Sequence, residues 1–159
     1  MDKLKNFSIE DAEIIFRNFS GRGGTYNSEG SRNFCVVLDP KDAVAMKRDG
    51  WAVRYTKPRD EEEEGRPYIQ VSVKYGDYPP KIYMVTSKNQ TLLDEDTVGE
   101  LDRVEIEKVD LIINPYYWNV NGKSGIKAYC KTMYVTIAED FGGRYASIPT
   151  SDIEEELPF

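Results

Sequence analysis

Apolar and polar residues alternate with a period of two along most of this chain, which points away from a helical bundle. Phe34, Val36 and Leu38 mark one such run, Trp51, Val53 and Tyr55 a second, and Ile69, Val71, Val73 and Tyr75 a third. Side chains two residues apart share one face of an extended strand, so each run buries one face and wets the other. The pattern continues through residues 82–85, 104–113 and 126–137, and Asn121-Gly122 between the last two predicts the tight turn of a long hairpin. One segment breaks the period. In DPKDAVAMKRDG, Asp39 suits an N-cap, Pro40 the first helical position, Asp42 the capping-box position and Gly50 the stop, which predicts a single short helix. Five or six strands and one helix predict an all-β fold, a small closed or partly open antiparallel barrel, because closure removes the unpaired edges of a flat sheet. A sandwich is the alternative.

A length of 159 residues with 40% hydrophobic content suits one domain with a proper core. A mean hydropathy of −0.59 and the lack of a long apolar run exclude a membrane-spanning helix. The opening MDKLKNFSIEDAEIIF does not read as a secretory signal, so cytoplasm is the expected compartment. There is no internal repeat and no shift of composition before Ser147; the expected organisation is a domain over residues 1–149 and a flexible acidic tail over residues 150–159.

The chain contains no histidine, which removes imidazole-based proton transfer and most zinc sites. Cys35 and Cys130 lie within apolar alternating runs and read as buried thiols. Gly21, Gly23 and Gly24 lack the spacing of a nucleotide-binding fingerprint and mark a sharply turning loop instead. Asp94, Asp96, Glu105, Glu107 and Lys108 are groups that a metal-dependent nuclease uses, yet alternating Glu105 and Glu107 read as solvated charges on an outward strand face. No catalysis, metal or cofactor is expected.

The charge is unevenly spread. The chain carries 21 basic and 28 acidic side chains, a formal −7, but nine of the acids fall in residues 60–64 and 152–156; without them the balance is +2. The first acidic run, in RDEEEEGRP, reads as an exposed loop. Against this background residues 14–35 stand out, with Arg17, Arg22 and Arg32 interleaved among Phe16, Phe19, Tyr26 and Phe34. Guanidinium groups neutralise phosphates and rings stack on any base face, so this chemistry suits a single nucleic-acid strand. Phe34 begins an alternating strand and reads as core; Arg17, Phe19, Arg22, Tyr26 and Arg32 are the candidates. A second cluster flanks the predicted hairpin turn, with Tyr116, Tyr117 and Trp118 before it and Lys123, Lys127, Tyr129 and Lys131 after it. Alternation places Lys127, Tyr129 and Lys131 on one wet face, opposite Ile126, Ala128 and Cys130.

Two features carry a family resemblance. The ending DIEEELPF, with Glu154, Glu155, Glu156, Leu157, Pro158 and Phe159, resembles the acidic tip of bacterial single-stranded-DNA-binding proteins. The body, with FRNF at residues 16–19, the Tyr26-Asn27 loop and VDLIINPYYWNVNGKSGIKAYCKTMYV at residues 109–135, resembles phage-encoded single-stranded-DNA-binding proteins. The resemblance implies an OB-fold-like five-stranded antiparallel barrel that coats single-stranded DNA in phage-type replication or recombination, without sequence preference and without catalysis. It also implies that the tip recruits other replication or recombination proteins, that the host cytoplasm is the site of action, and that self-association into a homo-oligomer is compatible with the family. A protein-interaction domain using the same tip, with no nucleic-acid binding, is the competing expectation.

Overall fold

The computed structural model describes residues 5–25, 27–58 and 65–138. Tyr26, the acidic run at residues 60–64 and the tail with Glu154, Glu155, Glu156, Leu157, Pro158 and Phe159 lie outside the described residues.

Nine strands and one α-helix follow in the order β1 (Phe7–Ile9), β2 (Ile14–Asn18), β3 (Arg32–Val37), α1 (Pro40–Asp49), β4 (Arg54–Tyr55), β5 (Pro67–Val73), β6 (Lys81–Val85), β7 (Gln90–Leu93), β8 (Ile106–Val120) and β9 (Lys123–Ile137), with a 3-10 helix at Val98–Asp102. The helix forms where the cap signals place it. Asp39 accepts from the Lys41 N–H at 2.9 Å, and Gly50 takes a left-handed φ of 108° that ends the helix.

The sheet runs β1-β8-β9-β5-β3-β2, with β4 beside β5, β6 beside β9 and β7 beside β6. Its backbone is the hairpin of β8 and β9, each 15 residues long, closed at Asn121 and Gly122, whose φ values of 51° and 80° are those of the tight turn that Asn-Gly favours. Pro115 has no N–H to give a ladder. It lies in β8 beyond Ile113, the last residue paired with β1.

The mostly-β expectation with one helix and a long hairpin holds, and the fold is OB-fold-like. Two finer features depart from a five-stranded antiparallel barrel. The sheet has nine strands among the described residues, and β9 runs parallel to both β5 and β6. β5 and β6 follow the same edge of β9 in turn, Val71 and Ser72 beside Ala128 and Tyr129, then Lys81–Val85 beside Thr132–Thr136. Residues 74–80 leave the sheet between them, opposite Cys130 and Lys131. The second departure is that, among the described residues, no ladder closes the sheet: its ends are tied where the chain crosses from β1 to β2, as Ala12 N–H donates to Val109 O at 2.7 Å and Val37 N–H to Glu13 O at 2.9 Å.

The core follows the alternation. Phe34, Val36, Ile69, Val71, Ile82, Val109, Leu111, Ile113, Met133 and Val135 are fully buried in one cluster. Each such side chain is worth about 1.5–3 kcal/mol against exposure. In β9 the buried phase changes from Ile126, Ala128 and Cys130 to Met133 and Val135, because the register with β8 slips between Ile113–Cys130 and Ile112–Thr132 and a bulge absorbs the extra residue. Both cysteines are free and buried, and burial pushes the Cys35 thiol up to about 11 and that of Cys130 up to about 12.

A polar clamp joins β2 to the 3-10 helix. Arg17 Nη1 donates to the carbonyls of Leu101 and Val104, both at 2.8 Å, while the Asp102 carboxylate accepts from Phe19 N–H at 2.7 Å, Ser20 N–H at 3.0 Å and Ser20 Oγ at 2.6 Å. Burial pushes the Asp102 carboxyl up, but the bonds from Ser20 and Phe19, helped by the nearby Arg22 charge, outweigh it and hold it below the usual carboxylate range. A depressed carboxylate stabilises the fold above its unfolded value, and that contribution disappears as pH falls through the folded value. Asp102→Asn is therefore expected to lower Tm by about 2–4 °C at pH 7. Thermal unfolding followed from pH 7 to pH 3 should show the gap to wild type narrowing on acidification; a gap independent of pH refutes the assignment.

Candidate nucleic-acid interface

β5 has the burial pattern of a strand with a dry and a wet side: Pro67, Ile69, Val71 and Val73 point into the core, while Tyr68, Gln70 and Ser72 point outward. The register carries this wet row onto its neighbours. Ser72 lies beside Tyr129 of β9, and across the hairpin Tyr129 faces Asn114, Lys127 faces Tyr116, and Gly125 faces Trp118. Cross-strand partners share a face, so Tyr116, Trp118, Lys127 and Tyr129 form one outward surface.

The side chains on that surface touch one another. Lys127 Nζ lies 5.3 Å from the centre of the Tyr129 ring, and the Tyr116 and Tyr129 rings meet edge to face at 6.4 Å. Tyr116 keeps 58% of its surface exposed. Trp118 lies flat against the strand because Gly125 leaves room for it: a Cβ on Gly125 would sit 2.9 Å from Cζ2 of the indole. Beside this cluster, residues 74–80 and the hairpin enclose an open cavity of about 1010 Å³ lined by Lys74, Asp77, Tyr78, Tyr116, Tyr129 and Lys131, with Tyr117 also reaching it. Tyr78, followed by two prolines, is 95% exposed. A second hollow, lined by Trp51, Arg54, Gln70, Ser72, Trp118 and Lys127, extends the same face toward β4.

Cations outnumber acids along this face, where Asp77 is the carboxylate in the cavity lining. None of Arg54, Lys74, Lys123, Lys127 and Lys131 pairs with a carboxylate among the described residues. Glu10, Asp11, Glu13, Asp39 and Asp42 line a different groove, between β1 and α1. A surface with unpaired cations and open rings can hold phosphates and stack bases with no contact to a particular base edge.

The sequence candidates divide. The structure brings together Tyr116, Trp118, Lys127 and Tyr129, with Lys123 at the exposed hairpin end and Lys131 exposed at the bulge. Tyr117 belongs to the alternate row, paired with Ile126 and half-buried, though it reaches the cavity lining. Phe19 requires correction: it is 0% exposed and stacked on Phe34 at 5.2 Å, a core ring with no face to offer. Arg17 is engaged in the clamp. Arg32 is likewise engaged, with Nη1 donating to Phe19 O and Ser20 O and Nη2 to Glu95 O. Arg22 is exposed, in a loop fastened by asparagines: Asn18 bonds both its N–H and its carbonyl, and Asn27 Nδ2 donates to its carbonyl at 2.8 Å. The structure adds Arg54, Lys74 and Tyr78 to this neighbourhood, which the sequence reading did not single out; the Gly-Asp-Tyr-Pro-Pro turn at residues 76–80 was the available signal for Tyr78.

The architecture is that of phage single-stranded-DNA-binding proteins. The single-stranded DNA-binding protein from bacteriophage Enc34, C-terminally truncated, is 11% identical over 85% of this chain and 87% of its own, with a TM-score of 0.53. The same protein in complex with ssDNA gives a TM-score of 0.54 at 11% identity, covering 85% and 88%. A comparison with curated protein sequences finds no match. The profile of the phage ssDNA-binding domain family matches residues 1–157, and the chain belongs to that family.

Gly125→Ala tests the hairpin platform. The added methyl is expected to lift the indole off the strand, changing tryptophan fluorescence and weakening single-strand binding severalfold while the circular dichroism of the sheet is kept. Unchanged fluorescence and affinity would show that Trp118 is not held there.

Proposed function

We propose that this protein binds single-stranded DNA without sequence preference through the outward face of β5, β8 and β9. The observation that carries the reading is the co-facial set of Tyr116, Trp118, Lys127 and Tyr129, with cations that no described carboxylate neutralises. Membership of the phage ssDNA-binding domain family supports it. Affinity arises from phosphate neutralisation and stacking, so no catalytic residue, metal or cofactor is needed. The biological role is the coating and protection of exposed strands during phage-type replication or recombination in the host cytoplasm. The domain over residues 1–149 supplies the binding surface. The tail over residues 150–159, ending in Glu154, Glu155, Glu156, Leu157, Pro158 and Phe159, recruits partner proteins: its carboxylates and proline-fixed phenylalanine suit a basic-rimmed apolar pocket.

Fluorescence anisotropy with labelled single-stranded and duplex oligonucleotides at several salt concentrations tests this. Single strands of mixed sequence are expected to bind more tightly than duplex, with affinity falling as salt rises. Lys127→Ala should reduce the slope of log K against log salt by about 0.7–1, and Tyr116→Ala should cost about 1–3 kcal/mol. Folded protein that binds neither form would overturn the reading and leave an interaction domain in its place.

A further inference from the structure

Phe16 combines two properties that folding alone does not reward. Its backbone is left-handed, with φ at 51°, a region that a bulky side chain rarely enters. The residue is 62% exposed. The conformation sits in a bulge where the register between β2 and β3 shifts between Ile15 and Asn18. What holds the bulge is the residue next to it: Arg17 reaches across to Leu101 O and Val104 O, and Asp102 fixes the backbone N–H groups of Phe19 and Ser20. Ladder pairing of Ile15 with Cys35 before it and these bonds after it thus anchor a strained residue that stays largely exposed.

The ring stands at a particular place. It meets Tyr68 edge to face at 5.6 Å, and Tyr68 begins the outward row of β5 that continues through Gln70 and Ser72 to Tyr129. From Tyr68 to Ser72 the strand advances roughly 13 Å. Arg54, paired with Tyr68 across β4 and β5, adds a cation along that row. Phe16 therefore occupies the end of the wet face remote from the hairpin cluster.

We propose that Phe16 is a second base-stacking platform, presented by the strained bulge and supported by Tyr68, so that a bound strand runs from the hairpin rings across Gln70 and Ser72 to Phe16. Arg17 is a positioning residue in this scheme: it holds the bulge and touches no phosphate. The inference rests on the single-strand reading above and extends it to a surface that the hairpin does not reach. A ring placed to stack on a base, in a backbone that glycine would occupy without strain, exchanges stability for binding.

The test follows from that exchange. Phe16→Gly relieves the backbone and removes the ring, so its Tm is expected to hold or rise while its affinity for a (dT)20 oligonucleotide falls about fivefold to a hundredfold, as loss of one base stack predicts. Phe16→Tyr should restore affinity, and Phe16→Leu, which keeps apolar cover over Tyr68 without a ring, should not. Photocrosslinking to an oligonucleotide carrying 5-iodouracil should label the peptide that contains Phe16. Affinity of Phe16→Gly within twofold of wild type overturns the proposal. If that variant fails to fold, Phe16→Leu decides: a fivefold loss sustains the proposal and parity ends it. Wild-type protein that binds no single strand defeats the parent reading, a result distinct from an intact wild type beside an indifferent Phe16 variant.

Discussion

β9 is the constraint on which the other elements depend. One edge pairs with β8 almost from end to end, and the other takes Trp51 at Ile126, then β5, then β6. Paired on both edges, β9 also packs one face into the core through Ala128, Cys130, Met133 and Val135. Because side-chain period is two, fixing the inward row also fixes the outward row, and this makes Lys127 and Tyr129 neighbours of Tyr116 and Ser72. The proposed binding face is a by-product of core registration.

The same pairing explains where the sheet is interrupted. β5 and β6 share an edge of β9, and the excursion at residues 74–80 coincides with the exposed Lys131. A bulge on one strand and an excursion on its neighbour open a cavity in an otherwise continuous sheet, lined by Tyr78, Tyr116 and Tyr129.

Charged residues fall into two groups that composition does not separate. Arg17, Arg32 and Asp102 serve the fold through bonds to backbone groups, holding β2, the loop after it and the 3-10 helix together. Lys127 and Lys131 make no ion pair with a described carboxylate and stay open to solvent. A guanidinium presents several donors in a rigid fork and readily satisfies carbonyls, whereas a lysine at the end of a flexible stem on an open strand stays solvated. Interleaving of arginine and phenylalanine in residues 14–35 did not separate core from surface: Phe19 went to the core and Phe16 to the water, with a bulge between Ile15 and Asn18 changing the phase of the strand.

The alternation of residues 34–38, 69–75 and 126–137, the helix caps at Asp39 and Gly50 and the turn at Asn121-Gly122 were legible because each depends on local chemistry within a few residues. The hairpin's Lys127-Tyr129 row was legible for the same reason. The parallel placement of β5 and β6 on β9, the Arg17–Asp102 clamp, the union of Tyr78 and Arg54 with the hairpin face, and the contact of Phe16 with Tyr68 were decided only by tertiary structure. They join residues far apart in the chain, and registers between distant strands are settled by which apolar rows fill the core together, a condition that no single segment contains.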